Sequence, residues 1–294
     1  MMRVFVGVAE AEGFAAAARR LGLSAPAATR AVAALEERVG TRLLHRTTRI
    51  VRLTEAGARF LADCKRILAE IDEAEASAAG AHAEPRGQLT VTAPVLFGRM
   101  HVAPILLDFL AQYPRVVGRA LLLDRVVDIL EEGIDVAVRI AHLADSSLTA
   151  TRVGAVRRVV CASPAYLARR GIPKAPAEVA AHDAIAFAPS AWREDWSFAS
   201  GAKTATISPQ AQLIVNTAEV AVAAALAGRG LTRVLSYQIA PELRAGTLAI
   251  VLAAFELPPL PVHVVHAEGR RASAKVRAFV DFAAERLRAV PSLK

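Results

Sequence analysis

The positive charge of this chain is concentrated where it can grip a polyanion. Between Arg19 and Arg52 there are eight arginines against two glutamates, and residues 1–58 hold nine arginines, five glutamates and no lysine. The balance then reverses, with three basic and five acidic side chains in residues 59–79. A guanidinium fork suits bidentate contact with phosphate and with guanine edges, where a lysine offers only a point charge. The net charge of +8 over 294 residues is a weak signal by itself; its local density points to duplex nucleic acid. The excess of arginine over lysine extends along the whole chain, 31 to five, and so also fits a codon bias.

Such side chains need a scaffold that presents them to a groove, and the surrounding pattern supplies one. Residues 3–11 carry Val4, Phe5, Val8 and Ala9 at helical spacing, and Phe14 to Leu21 gives a second helix that Gly22 can stop in the left-handed conformation. Ser24 is a good N-cap for a third helix, with Pro26 in its first turn. There Ala28, Val32, Leu35 and Val39 share one face, directed to a core, and Pro26, Thr29, Arg30 and Ala33 share the opposite one. That outward face is small and flat with a single long arm, Arg30, and fits a major groove. Gly40 closes the helix; Leu43, Leu44, Val51 and Leu53 then bracket a β-hairpin tip whose Arg46 and Arg49 reach a phosphate backbone or a narrow minor groove.

Thr54 to Gly57 reads as another helix start, continued without Pro or Gly to Ala79 with an apolar stripe of Phe60, Leu61, Ile67, Leu68 and Ile71. Two uses of that stripe stay open: pairing with a second copy, or packing on the helix's own domain. A Gly80–Gly87 linker follows, and from Gln88 strands and helices alternate. Expected strands are 89–92, 119–123, 135–140, 159–163, 184–187, 213–215, 231–235, 248–252 and 262–267. Expected helices are 97–111, 126–132, a start at Pro164, 217–227 with a capping-box-like Asn216 and Glu219, and 273–290. The β-α-β spacing argues for parallel, helix-covered sheets in two lobes, with crossovers near Ser163 and Ala267 and a cleft at the carboxyl ends of the strands.

These segments together resemble the LysR-type transcriptional regulators. The resemblance is carried by residues 14–24, 34–40 (Ala-Leu-Glu-Glu-Arg-Val-Gly), 44–49 (Leu-His-Arg-Thr-Thr-Arg), 53–57, 124–128, 133–139, 162–167 and 227–231, in order along essentially the whole chain. It implies an α/β protein with an N-terminal, helix-rich winged helix-turn-helix and an effector domain of two Rossmann-like lobes similar to type 2 periplasmic binding proteins. The expected division is a DNA-binding domain at 1–58, a linker and dimerisation helix at 59–80, a hinge linker at 81–87 and an effector domain at 88–294. Lobe I is expected at 88–162 and 267–294, and lobe II at 163–266. By motif matching, the DNA-contacting positions are Ala25, Pro26, Thr29, Arg30, Arg46, Thr48 and Arg49. Many members carry glutamine at the position of Ala25 and serine at that of Thr29, so one amide contact to a base is missing here. The effector positions implied are Thr92, Ala93, Pro94, Val95, Leu96, Phe97, Arg139, Asn216 and Thr217. Relatives often have a hydroxyl residue where Leu96 stands, which leaves free N–H groups at the two helix starts as the means of binding a carboxylate. Leu96 and Phe97 serve a core as readily as a pocket. The first helix is expected to be about a turn shorter than in relatives.

The partners implied are double-stranded promoter DNA carrying an inverted repeat, a small-molecule effector and further copies of the chain, commonly a dimer of dimers. RNA polymerase comes within reach at a promoter. No cofactor and no metal are expected: Cys64 and Cys161 lack a partner at metal-site or disulfide spacing, and His263 and His266 fall on opposite faces of one strand. An enzyme is disfavoured because Gly228-Arg229-Gly230 lacks the third glycine of a dinucleotide fingerprint, and Gly201-Ala202-Lys203-Thr204 lacks the upstream glycine of a phosphate loop, having Trp196 there. Phe5 and Phe14 are the only aromatics of residues 1–58 and offer no stacking platform for single strands. Val4 to Ala9 is too short before Glu10 for a secretion signal, and no apolar run approaches the roughly 20 residues of a membrane span. A cytoplasmic protein without a membrane partner is expected, and a transport receptor is not.

Overall fold

The structure, a computed structural model, describes residues 1–46, 51–78, 84–143, 148–188, 195–201, 203–267 and 272–294. The chain divides into two compact units, Met1–Ala83 and Glu84–Lys294.

In the first unit, α1 (Met2–Glu10), α2 (Phe14–Arg20) and α3 (Ala25–Val39) precede a hairpin of β1 (Leu44–Arg46) and β2 (Val51–Leu53), and α4 (Glu55–Ala78) follows. Local chemistry sets these limits as expected. Ser24 caps α3, its Oγ accepting from Ala27 N at 3.3 Å, and Gly40 ends the helix at φ 75°. The hairpin pairs Leu44 with Leu53 and Arg46 with Val51. Phe5, Val8, Ala17, Val32, Leu35, Leu43, Leu44 and Cys64 form the core, with Phe60 and Leu61 packed against it. The first half of α4 therefore covers its own domain, the second of the two uses open to its apolar stripe, while Ile71 further along is 43% exposed. Val39, expected in the core, is 37% exposed in the last turn before the cap.

Glu10 binds Arg20 at 2.6 Å and Lys65 at 3.0 Å and so links α1, α2 and α4. The hydrogen bond from Arg20, then that from Lys65, holds its carboxyl below the ordinary value of 4.5. A depressed carboxylate contributes stability above its unfolded-state pKa and loses it as pH falls through the folded-state value. Glu10→Gln should therefore lower the denaturation midpoint at neutral pH, and the gap to wild type should narrow on acidification below 4.5. Denaturant titrations at the two pH values check this; a constant gap would mean that the carboxylate charge is not what the clamp uses. The side chain is 35% exposed, so the effect is small.

The second unit holds two mixed sheets. One has the order β4 (Val116–Leu122), β3 (Gly87–Ala93), β5 (Val136–Ile140), β14 (Leu260–His266), β6 (Thr149–Val156). The other runs β11 (Ala211–Val215), β8 (Ala184–Phe187), β12 (Leu231–Leu235), β7 (Arg158–Ala162), β13 (Ala249–Val251). A separate hairpin joins β9 (Trp196–Ser200) to β10 (Lys203–Ile207). The β-α-β segments are parallel, β3 with β4 and β5, and β8 with β11 and β12. The expectation of parallel sheets is corrected by β14, which the chain returns from the second lobe to pair antiparallel with β5 and β6, and by β7, which pairs antiparallel with β12 and β13.

That return also corrects the lobe limits. β7 belongs to the second sheet and β14 to the first, so the crossings lie at Arg157 and between Val251 and Leu260 rather than near Ser163 and Ala267. The two crossings are tied together. Arg157 Nη1 donates to both carboxylate oxygens of Glu256 at 3.1 Å, and Arg157 exchanges backbone and hydroxyl hydrogen bonds with Ser236. The helix expected over 126–132 is instead a turn. The Asp128 carboxylate accepts from Leu130 N and Glu131 N, and Arg125 grips Glu132, so side chains take the place of a helical ladder. Strands β6, β9 and β10 and the helix Ala240–Ala245 come in addition to the expected elements.

Among the described residues one helix, Val95–Gln112, is long and apolar enough to cross a membrane by length and composition. It contains a π-helical turn at Gly98–Val102 and buries Phe97, Val102, Ile105, Leu106 and Phe109 in the core over the first sheet. The helix Ala274–Arg288 adds Val276, Phe279, Ala283 and Leu287 to the same core.

Candidate functional site

The groove-facing surface of the first unit is built by the rotation of α3. Burial of Ala28, Val32 and Leu35 turns Ala25, Pro26, Arg30 and Ala33 outward, with Thr29 half-buried between them. Four of the expected DNA-contacting residues thus share one face. Thr29 Oγ1 donates to Ala25 O at 2.9 Å, a bond within its own helix. Its donor is spent, and the hydroxyl is left as an acceptor, suited to a base amino group, beside a methyl suited to thymine. The backbone of Arg46 lies in β1 opposite Val51; Thr48 and Arg49 lie outside the described residues.

Sequence reasoning missed the residues that hold the root of the hairpin. Glu36, on α3, accepts from Leu43 N at 2.8 Å and Leu44 N at 3.0 Å through one carboxylate oxygen. On the other side Thr54 donates its hydroxyl to Arg42 O at 2.9 Å and its N–H to Leu43 O at 3.0 Å, while Thr54 Oγ1 accepts from Gly57 N at 2.8 Å. Residues 42–44 are therefore gripped between α3 and α4. The signal in the sequence was an acid standing against the charge of a basic stretch.

In the second unit the start of helix Val95–Gln112 follows directly on β3. Thr92 is buried and its hydroxyl donates to Leu121 O at 2.6 Å; Ala93 is buried, and Pro94 is the N-cap. Val95 N–H, expected to be open to a ligand, donates to Asp124 Oδ1 at 2.9 Å. Leu96 is 6% exposed and Phe97 fully buried. Phe97 lies 4.9 Å from the ring of His101 and 5.1 Å edge-on to Tyr237. Tyr237, Ala218, Phe187 and Leu235 of the second lobe belong to this same apolar cluster, so the lobes meet over an aromatic contact. Burial keeps the His101 imidazole below its usual pKa, and burial, followed by the charges of Asp124 and Glu219 against an opposing Gln238 hydrogen bond, raises the Tyr237 phenol.

Arg139 is half-buried and donates to Val127 O. Asn216 is exposed at a bend, and the N-cap of the helix Ala218–Leu226 is Thr217, without a side-chain cap bond; the expected capping box is not formed. Arg99 reaches from the first lobe to Glu219 of the second at 3.7 Å.

A helix-turn-helix followed by a β-hairpin and joined to a two-lobed α/β unit is the architecture of a DNA-binding regulator with a ligand domain. Comparison with known proteins gives the family. Residues 1–58 match the model described as bacterial regulatory helix-turn-helix protein, lysR family, and residues 82–288 match the LysR substrate binding domain. An HTH-type transcriptional regulator of Xanthomonas campestris is 38% identical over 97% of this chain and 84% of its own length. An HTH-type transcriptional repressor of Pseudomonas aeruginosa is 34% identical over 97% and 90%. Among solved structures, CrgA of Neisseria meningitidis is 29% identical with a TM-score of 0.62, covering 97% of both chains. The Vibrio cholerae virulence activator AphB is 25% identical with a TM-score of 0.60, also covering 97% of both. The chain belongs to the LysR family of transcriptional regulators, proteins that bind DNA and small-molecule effectors and form oligomers.

Proposed function

We propose that this regulator reads promoter DNA through Ala25, Pro26, Thr29 and Arg30 in the major groove and through Arg46, Thr48 and Arg49 on the wing. The observation that carries this reading is the outward face of α3, flat except for Arg30 and backed by a buried Ala28, Val32 and Leu35. Residues 1–58 act as the DNA-binding domain, 59–80 as the helix that pairs two copies, 81–87 as the hinge and 88–294 as the effector domain. The effector lies at Thr92 to Phe97, Arg139, Asn216 and Thr217, with Leu96 and Phe97 acting from the floor. Its binding changes the relation of the lobes and hence the spacing of paired DNA modules, with a coupling of about 1 to 3 kcal/mol. The protein works in the cytoplasm without catalysis, as a dimer or a dimer of dimers, and at a promoter it can touch RNA polymerase.

A mobility-shift titration with the intergenic DNA beside its own gene tests this reading. Arg30→Ala should weaken operator binding and flatten sequence preference, and Arg49→Ala should weaken all sequences alike, each by about 1 to 3 kcal/mol. Unchanged affinity in both variants would remove the DNA face as assigned.

A further inference from the structure

Three rings from two lobes meet where helix Val95–Gln112 widens into its π-helical turn at Gly98–Val102. Phe97 and His101 come from the first lobe, their ring centroids 4.9 Å apart. Tyr237, in the short helix Ser236–Ile239 of the second lobe, stands 5.1 Å from Phe97 and 5.9 Å from His101. One of the three can take up a proton. Nε2 of His101 is buried and has no hydrogen-bond partner among the described residues. In a neutral imidazole that atom can be left as a bare acceptor. In an imidazolium it becomes a charged N–H donor with no acceptor, beside an apolar cluster.

The other charged and titratable groups around the contact have partners of their own. Arg99, on the same turn, pairs with Glu219 of the second lobe at 3.7 Å. Asp124, after β4, accepts from Val95 N, and Tyr237 accepts from Gln238 Nε2 at 3.3 Å. Burial alone holds the His101 imidazole below its ordinary value of 6.5.

We propose that His101 is a proton-operated catch between the lobes: neutral, its ring holds Phe97 and Tyr237 together, and charged, it leaves the contact and lets the lobes part. A histidine whose pKa is depressed in the joined state supports that state fully above 6.5 and loses the support as pH falls toward the joined-state value. Within that window one proton raises the ratio of parted to joined lobes by up to about tenfold per pH unit. The catch needs neither the effector positions nor the DNA face proposed above.

The test measures the distance between lobes in the full chain. Glu285→Cys and Ala245→Cys place spin labels at exposed positions, one in each lobe, while Cys64 and Cys161 are both buried. Diluting labelled copies with unlabelled protein leaves only distances within one copy. From about pH 7.5 to about pH 5 a longer population, displaced by more than about 2 Å, should grow by about tenfold. His101→Phe keeps a ring in the contact and cannot take a proton, so its distances should not respond to pH. His101→Gln, polar and likewise uncharged, should be as silent. The histidine Cε1–H resonance missing from either variant should titrate below 6.5 in the wild type. Distances that do not move with pH, or that move equally in both variants, overturn the catch. So does a His101 that titrates at or above 6.5, which would mean that the faces of Phe97 and Tyr237 hold the cation in place.

Discussion

Gly57→Ala is expected to unfold the DNA-binding unit before the effector unit. Gly57 lies in the first turn of α4, where alanine would by propensity stabilise the helix by about 1 kcal/mol. Its surroundings reverse the sign. A Cβ built on Gly57 would stand 1.9 Å from Leu43 O and 2.8 Å from Leu43 C. These are backbone atoms that cannot swing aside, because Thr54 N–H and the Thr54 hydroxyl fix residues 42 and 43 and Glu36 fixes 43 and 44. The only relief is to move α4 off the hairpin root, which opens the packing of Phe60, Leu61 and Cys64 on the core. The net cost is about 3 kcal/mol or more, a large share of the stability of a unit this small. Thermal unfolding of the full chain should then show a transition for the first unit lowered by more than about 10 °C. The transition of Glu84–Lys294 should stay in place, and operator binding should disappear at temperatures where the wild type binds. A first transition at or above that of wild type would show that α4 does not bear on Leu43.

Interactions of this kind explain which parts of the molecule were legible in its sequence. The helices of the first unit follow from apolar spacing and from caps that act within four residues, and Ser24 and Gly40 perform as their types suggest. The exposed face of α3 follows from the same arithmetic. What was not legible lies further along the chain. The Asp124 cap on Val95 spans 29 positions, so the first N–H of a helix start that looks open is already taken. β14 joins β5 and β6 from more than 100 positions further along the chain, and nothing in Leu260–His266 marks which sheet it will enter. The turn at 126–132 has the apolar content of a helix, with Val127 and Ile129 buried and Val126 and Leu130 exposed. Asp128 decides against the helix by taking two backbone N–H groups for itself. The Leu96–Phe97 pair was readable as core or pocket; the structure buries both, and Phe97 lies edge-on to Tyr237, which the other lobe supplies.

Glu36→Ala should cost nearly as much as the glycine change, by a different route. The Leu43 and Leu44 residues are 0% and 2% exposed, and both their N–H groups depend on one carboxylate oxygen. Alanine leaves two buried donors unmet, at about 1 to 3 kcal/mol each, and some water entry brings the expected sum to about 2 to 4 kcal/mol. Glu36→Gln keeps an oxygen at the same reach and forfeits only the charge assistance, about 1 kcal/mol. The functional consequence separates from the stability one. Residues 42–44 are the stem on which the wing stands, so releasing them from α3 frees the wing while leaving Ala25, Pro26, Thr29 and Arg30 on an intact helix face. At temperatures where both proteins are folded, Glu36→Ala should bind operator more weakly with a shallower salt dependence, the slope falling by about 1 for each phosphate that the wing no longer reaches. Its preference among operator sequences should be kept, whereas Arg30→Ala loses that preference. Equal damage from Glu36→Gln would show that the charge of Glu36 matters rather than its two hydrogen bonds. An unchanged salt slope in Glu36→Ala would show that the wing is held without it. The pair of variants thus measures how far the grip on DNA depends on an acid that touches no DNA at all.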